Sequence, residues 1–333
     1  MGFLTEEQKQ HWLTHGFIKI PKCFSREAAN EFTSSIWTRL GMSPTDKSTW
    51  TKERINMPGL TVVEVKDFAP KAWEAICELA GGEDRLTDWC RGWRDAWIIN
   101  MGKPEYHPDD PVDFRKLDNW HNDGDWFTHF LDSGEQGLLV IPLFSDIKPK
   151  GGGTVICSDG IGLVAKHLYD HPEGTWPSLA SRSGPDVAVS EQGELWSNWA
   201  SDPQLTKDES FHEATGEVGD IYLLHPFMLH SASRNVLREV RIITNPPVSL
   251  KEPFNYNRPD GHYSLIEQKT LRDLGRPEGL PEWRITGERE MLTPARVQIQ
   301  AEMARQEMER LQNAGVEITK LASAVSLDSY YPA

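Results

Sequence analysis

Cysteine is scarce: Cys23, Cys77, Cys90 and Cys157 are the only four in 333 residues, and no two form a Cys-x-x-Cys pair. That spacing indicates neither a zinc knuckle nor a disulfide framework, and buried free thiols are the expectation. Positive charge is also short. Lys plus Arg total 35 against 50 for Asp plus Glu, a formal net charge of −15, which disfavours a sequence-independent grip on nucleic acid or an anionic membrane. No apolar run approaches membrane-spanning length, and the amino terminus turns polar by Thr5-Glu6-Glu7-Gln8 without a basic start and apolar core. A cytoplasmic, reducing location follows as the expectation. Internal repeats and low-complexity segments are lacking too.

What is present is a substantial stock of core residues, 38% hydrophobic with 13 tryptophans, enough for one large domain. Residues 1–95 read as a mostly helical wrapper. Thr5-x-x-Gln8 fits a capping box for a helix through about His15, and Ser25 can cap a second in which Ala29, Phe32, Ile36, Trp37 and Leu40 recur at helical spacing. Residues 71–80 look like a third. From Ala96-Trp97-Ile98-Ile99-Asn100 to about 250, short strands separated by glycine and proline turns favour a mainly β fold, a double-stranded β-helix (cupin-like jelly roll) with flanking α-helices. An insertion over 160–218, with a short helix near Val164–Tyr169 and the run Ser178–Pro185, reads as a lid, and its His167, His171 and His212 as surface histidines. The extension 251–333 ends in a helix starting at Thr293-Pro294, whose Val297, Ala301, Ala304, Met308 and Leu311 share a face. That stripe suits packing on the parent domain, with a homodimer contact as the alternative.

The most informative residues are His121-Asn122-Asp123, then His230, then Arg241. Two imidazoles and one carboxylate can hold one face of a ferrous ion and leave positions open for a cosubstrate and O2. In a strand, residues two apart share a face, so His121 and Asp123 would point the same way. His107-Pro108-Asp109 repeats the spacing but lies in a proline- and acid-rich run that reads as a loop. The second half has its own grammar: a Gly219-Asp220 turn, an apolar strand from Ile221, a segment ending in His230, and a return strand Arg238 to Asn245 carrying Arg241. An arginine in apolar surroundings needs a negative partner, and a 2-oxo-dicarboxylic acid chelating the iron offers one.

Gly219 to Ser231, reading Gly-Asp-Ile-Tyr-Leu-Leu-His-Pro-Phe-Met-Leu-His-Ser, with Arg241 beyond it, resembles the C-terminal signature of the phytanoyl-CoA dioxygenase (PhyH-like) family of Fe(II)/2-oxoglutarate oxygenases. His15 to Ser25 resembles that family's opening strand, and Val65-Lys66-Asp67-Phe68 a segment before its barrel. The resemblance implies His121, Asp123 and His230 as iron ligands and Arg241 as the clamp on the distal carboxylate of 2-oxoglutarate. Gly151-Gly152-Gly153-Thr154 resembles a glycine-rich turn into a central strand, so Thr154 is expected to hydrogen-bond the cosubstrate, with Asn100 in the same pocket. Departures occur at Cys157-Ser158-Asp159-Gly160, Ala232 and Val140, so the namesake's substrate does not carry over. Asp123 in place of a small residue implies hydroxylation, desaturation or ring formation rather than halogenation.

Trp126, Phe127, His129 and Trp97 are expected to flank the open iron positions and bind a small organic molecule, a specialised metabolite or amino-acid derivative. A jelly-roll hydrolase or isomerase would use the same triad with zinc or manganese, but would have no need of Arg241.

Overall fold

The computed structural model describes residues 2–182 and 194–316. The remainder of the Ser178–Pro185 run, and the tail beyond 316, lie outside them.

Thr5 caps α1 (Glu6–His15) through the expected box, its hydroxyl accepting from Gln8 N while the Gln8 side chain accepts from Thr5 N. Gly16 ends the helix at φ 68°, and the chain turns directly into β1 (Phe17–Ile20). The single helix expected from Ser25 through Leu40 is two, α2 (Arg26–Thr33) and α3 (Ile36–Leu40). The break falls where Thr33 and Ser34 hydroxyls donate to the carbonyls of Ala29 and Glu31, competing with the helical ladder. Short β2 (Arg54–Asn56) and β3 (Val62–Glu64) follow, then α4 (Val65–Phe68) and α5 (Pro70–Ala80), which starts on a proline whose missing N–H the helix does not need. Next come β4 (Gly92–Arg94), β5 (Ile98–Asn100), β6 (Leu138–Pro142) and β7 (Thr154–Cys157). The remainder is α6 (Gly160–Asp170), α7 (Glu194–Ser201), β8 (Phe211–Glu213), β9 (Ile221–Leu224), β10 (Leu229–Ala232), β11 (Arg241–Ile243), β12 (Pro247–Val248), α8 (Leu265–Asp273) and α9 (Arg296–Asn313).

The strands form several antiparallel sheets flanked by helices. One has the order β1-β9-β6-β12, a second β10-β7-β8, a third β11-β5-β2, and β3 pairs with β4. Strands β1 and β2 thus belong to sheets although they precede residue 96. The return strand expected from Arg238 to Asn245 is only three residues long, since Arg238 turns at φ 52°. Backbone bonds join the sheets: Leu143 bridges Ile243, and Gly151 bridges Asn235.

Between sheets and wrapper lies an aromatic layer in which Trp97 meets Phe32 and Phe144 edge-on, with Phe24 stacked on Phe144. The apolar stripe of α9 is used within the chain. Leu311 is fully buried against Leu60, and Glu307 is buried in an ion-pair chain with Arg39 and Asp95. Among the described residues no helix is long and apolar enough to cross a membrane. All four cysteines are free, and Cys23, Cys90 and Cys157 are buried.

Candidate metal centre

His121 and His230 face each other across a backbone bridge, each N–H donating to the other's carbonyl at 3.0 and 2.9 Å. Directly opposed residues put their side chains on one face, and the rings lie 4.2 Å apart between centroids. Asp123 does not reach them from a strand. The segment after His121 is a bend and a turn, and Asp123 Oδ1 swings back to within 3.6 Å of His121 Nε2 and 3.8 Å of His230 Nε2. The three donor atoms lie within 4.8 Å of one another.

The rings are aimed by their other nitrogens. His121 Nδ1–H donates to Asn119 O at 2.7 Å and His230 Nδ1–H to Met228 O at 3.0 Å. Those bonds fix the tautomer that leaves Nε2 as a lone pair, which is how metal-ligating histidines are oriented. Donors at these separations let one ion sit about 2.0–2.2 Å from each after small ring movements. Burial acts to raise Asp123, but His121 and His230 hold it well below the usual carboxylate range. Burial acts to lower His121, yet its contact with Asp123 outweighs that and raises it; burial and the charge of His121 push His230 down to about 4. The donor set is a carboxylate and two imidazoles that repel protons at one ring, which suits a divalent cation.

The bend is held from behind. Gly124 adopts φ +121°, and a Cβ there would stand 2.6 Å from the His129 ring. His129 is buried, donates from Nε2 to Gly124 O at 2.6 Å and stacks on Phe127 at 4.4 Å. Its burial pushes it down to about 4, so it is neutral at ordinary pH. His129 and Phe127, expected as substrate contacts, therefore brace the ligand bend as buried residues, whereas Trp126 remains half-buried beside it. Outside them runs the segment 290–296: Leu292 N donates to Trp126 O, Glu290 pairs with Thr128 through backbone and hydroxyl, and Arg296 forms a two-pronged ion pair with Asp125.

Arg241 lies 2% exposed on β11. Its Nε donates to Gly152 O and its Nη1 to Ile98 O, but it has no carboxylate partner among the described residues. Burial and the nearby Arg54 charge pull it down to about 9, with Glu213 pulling upward. A guanidinium does not deprotonate in practice, so this is a desolvated cation in want of an anion. Thr154 opens β7 directly after the glycine-rich turn whose Gly152 carbonyl binds Arg241. It stands opposite Ala232, two residues along from the His230–Ile156 pair, so Thr154, Ala232 and His230 share a face. The Thr154 hydroxyl makes no side-chain hydrogen bond among the described residues.

Two other expectations need correction. Asn100 is fully buried and committed to backbone, donating to Ser233 O at 2.9 Å and accepting from Gly102 N at 3.1 Å. It joins β5 to the end of β10 rather than presenting its amide to a cosubstrate. Trp97 is fully buried in the aromatic layer, a core residue rather than a cavity wall. His107 stands exposed in a turn closed by its own N–H on Asp110, and joins no donor cluster among the described residues. His167, half-buried, donates from Nε2 to Leu179 O at 3.0 Å and is not part of the triad.

Three contributors had no local signal. Asn245 reaches Asp123 Oδ2 at 3.4 Å from 122 residues away, Arg296 grips Asp125 from 171 away, and Glu213 accepts from Lys150 N and Gly153 N to fasten the glycine-rich turn beneath Arg241.

No family profile matches the chain, and no curated protein does. Among solved structures it is similar to HygX from Streptomyces hygroscopicus with nickel and 2-oxoglutarate bound, at 16% identity over 74% of this chain and 88% of that one, with a TM-score of 0.40. It is similar to SnoK, a non-heme alpha ketoglutarate dependent carbocyclase from nogalamycin biosynthesis, at 15% identity over 87% and 97%, with a TM-score of 0.39. A hypothetical protein, JW0805 from Escherichia coli, overlaps at 15% identity over 82% of both chains with a TM-score of 0.45. Overlaps this loose do not decide what the site does.

Proposed function

We propose that the chain is an Fe(II)/2-oxoglutarate-dependent oxygenase of PhyH-like type, acting on a C–H bond of a small organic molecule within a jelly-roll core. The observation that carries this reading is the buried Arg241, with no carboxylate partner among the described residues, in a chain that also gathers a triad of donors whose tautomers are already fixed. A metal hydrolase needs the triad alone. An oxygenase of this kind needs a cation for the far carboxylate of its cosubstrate as well.

When bound, Fe(II) with 2-oxoglutarate supplies the oxidation of a substrate C–H bond by O2, with release of succinate and CO2. His121, Asp123 and His230 would hold the metal through Nε2, Oδ1 and Nε2. The carbonyls of Asn119 and Met228 accept from Nδ1–H of the two rings, so that Nε2 of each is the atom turned to the metal. Arg241 directs its guanidinium to the distal carboxylate, preorganised by Gly152 O and Ile98 O so that little ordering is needed on binding. The Thr154 hydroxyl, which makes no side-chain hydrogen bond among the described residues, would donate to the same group. Buried Phe127 and His129 keep water from the back of the Asp123 bend, and Trp126 is the one expected substrate contact that is half-buried rather than buried. Which oxidation follows, hydroxylation, desaturation or cyclisation, depends on the substrate.

The test is substrate-stimulated succinate release across a metabolite panel, with Fe(II) and 2-oxoglutarate each omitted in turn. Release that requires both, and that demands far more 2-oxoglutarate in Arg241→Ala, supports the reading. Turnover without 2-oxoglutarate, unaffected by Arg241→Ala, would replace it with zinc or manganese chemistry.

A further inference from the structure

A chain of net charge −15 has one hollow of the opposite character. A cavity of about 120 Å³ is lined by four cations, Arg54, Lys103, Lys116 and Arg234, against two carboxylates, Glu53 and Asp118.

Two of its lining residues, Arg54 on β2 and Ala232 on β10, tie it to the strands around the candidate centre. Ala232 on the wall stands two residues from His230 on β10 and so shares its face. Arg54 on β2 lies directly across from Asn100 on β5, whose partner on the other side is Arg241. Arg54, Asn100 and Arg241 therefore form a row on one face of that sheet, and with strands about 4.8 Å apart the two arginines are separated by roughly 10 Å. The charge of Arg54 is felt at Arg241.

The cations are not all engaged. Glu53 is taken by the Tyr106 hydroxyl at 3.0 Å and Lys103 at 3.4 Å. Lys116 reaches Asp113 from an 80% exposed side chain, and Arg54 reaches Asp118, itself 76% exposed, at 3.3 Å; water screens such pairs and they hold little, and Arg54 stands 3.8 Å from Glu53, which Tyr106 and Lys103 already share. Arg234 is exposed and has no ion pair among the described residues. Two guanidiniums at one cavity match the planar, two-pronged geometry of an acid group. With a water occupying about 30 Å³, the space fits such a group and a short stem.

Resting on the oxygenase reading above, we infer that the substrate is an organic anion, a carboxylate or a phosphate monoester, whose acid group is held by Arg54 and Arg234 while the remainder extends along β10 to the metal. Arg241 and the cavity then divide the labour: the buried arginine takes the cosubstrate, the outer pair takes the substrate. Any field from Lys103 and Lys116 raises the local concentration of anions that the chain as a whole repels.

The experiment uses full-length protein, metal-free and loaded anaerobically with Fe(II) and saturating 2-oxoglutarate, with three probes at fixed ionic strength: benzoate, phenyl phosphate and neutral benzamide. Binding is read by calorimetry. One anion should bind at least tenfold more tightly than benzamide, and whichever anion is tighter names the acid group. Arg234→Gln and Arg54→Gln should each weaken that anion at least fivefold, while the 2-oxoglutarate midpoint of the charge-transfer band stays within twofold of wild type. Arg234 is exposed, so its variant keeps the test decisive even if Arg54→Gln fails to fold. Anion binding that is absent, no tighter than benzamide, or unmoved in Arg234→Gln overturns the inference. A shift of the 2-oxoglutarate midpoint as large as that of the probe also overturns it, because both arginines would then serve the cosubstrate. Failure of the oxygenase reading shows separately, as no band in the wild type, while calorimetry on metal-free protein still reports the cavity's preference.

Discussion

His107-Pro108-Asp109 and His121-Asn122-Asp123 have the same spacing and opposite fates. The first lies in an exposed turn closed by Asp110, and among the described residues its side chains join no cluster of metal donors. The second is stitched to His230 by two backbone bonds, has its ring tautomer fixed by Asn119, and has its bend braced by His129 and the 290–296 segment. Spacing supplies two side chains of the right type. A ligand pair also needs a partner strand to present a third donor and a scaffold that keeps the carboxylate turned inward.

The difference can be broken most completely at the metal. His121→Ala should abolish tight Fe(II) binding, whereas His107→Ala should leave it unchanged, as followed by metal retained after gel filtration. Next, Arg241→Ala removes the buried cation proposed to hold the far carboxylate of 2-oxoglutarate, and truncating one partner of such a buried pair costs about 2–5 kcal/mol. The 2-oxoglutarate midpoint should rise about 30-fold or more while the metal stays bound, measured by anaerobic titration.

Gly124→Ala sharpens the role of the bend. A methyl there meets the His129 ring at a φ that side chains avoid, and overpacking with strain should cost about 3 kcal/mol, read by denaturant unfolding. No such cost is expected for changes in the His107 turn. A smaller effect comes from pH. Buried His225 and His129 are held down to about 3 and about 4, whereas in the unfolded chain both titrate near 6.5. Because the folded values are depressed, their contribution is fully present above about pH 6.5 and is lost as pH falls below it, by up to about 1.4 kcal/mol per unit for each ring. Unfolding midpoints from pH 7.5 to 4.5 measure that slope, and His225→Asn should flatten it. The smallest change is Asn245→Ala. Its contact with Asp123 is long and exposed, so Fe(II) affinity should fall only about threefold, below the usual range for groups that orient a metal ligand.

Much of the site was legible because its parts are local. The capping box at Thr5 is written in a few adjacent residues. So are His121 with Asp123 and the turn and strand that carry His230. What was not legible depends on which face a residue turns to. The aromatic run from Trp126 to Phe130 reads as a strand by composition, yet Gly124 bends the chain and sends Phe127 and His129 into the interior. Asn100 and Trp97 lie near the site in sequence, but cross-strand geometry gives one to Ser233 and the other to the aromatic layer. The hold of Arg296 on Asp125 joins residues 171 apart, and no periodicity in either segment announces it. Helix α9 showed its apolar stripe but not its destination, because Leu60 sits in a short connection without a pattern of its own.

The most direct measurement is the anaerobic visible spectrum of the apo-protein titrated with Fe(II) and 2-oxoglutarate, alongside His230→Ala and Arg241→Ala. The account predicts a metal-to-ligand charge-transfer band in the wild type, none in His230→Ala, and in Arg241→Ala a band that forms only at much higher 2-oxoglutarate. A wild type that binds Fe(II) without developing the band, or an Arg241→Ala protein that titrates like wild type, would contradict it.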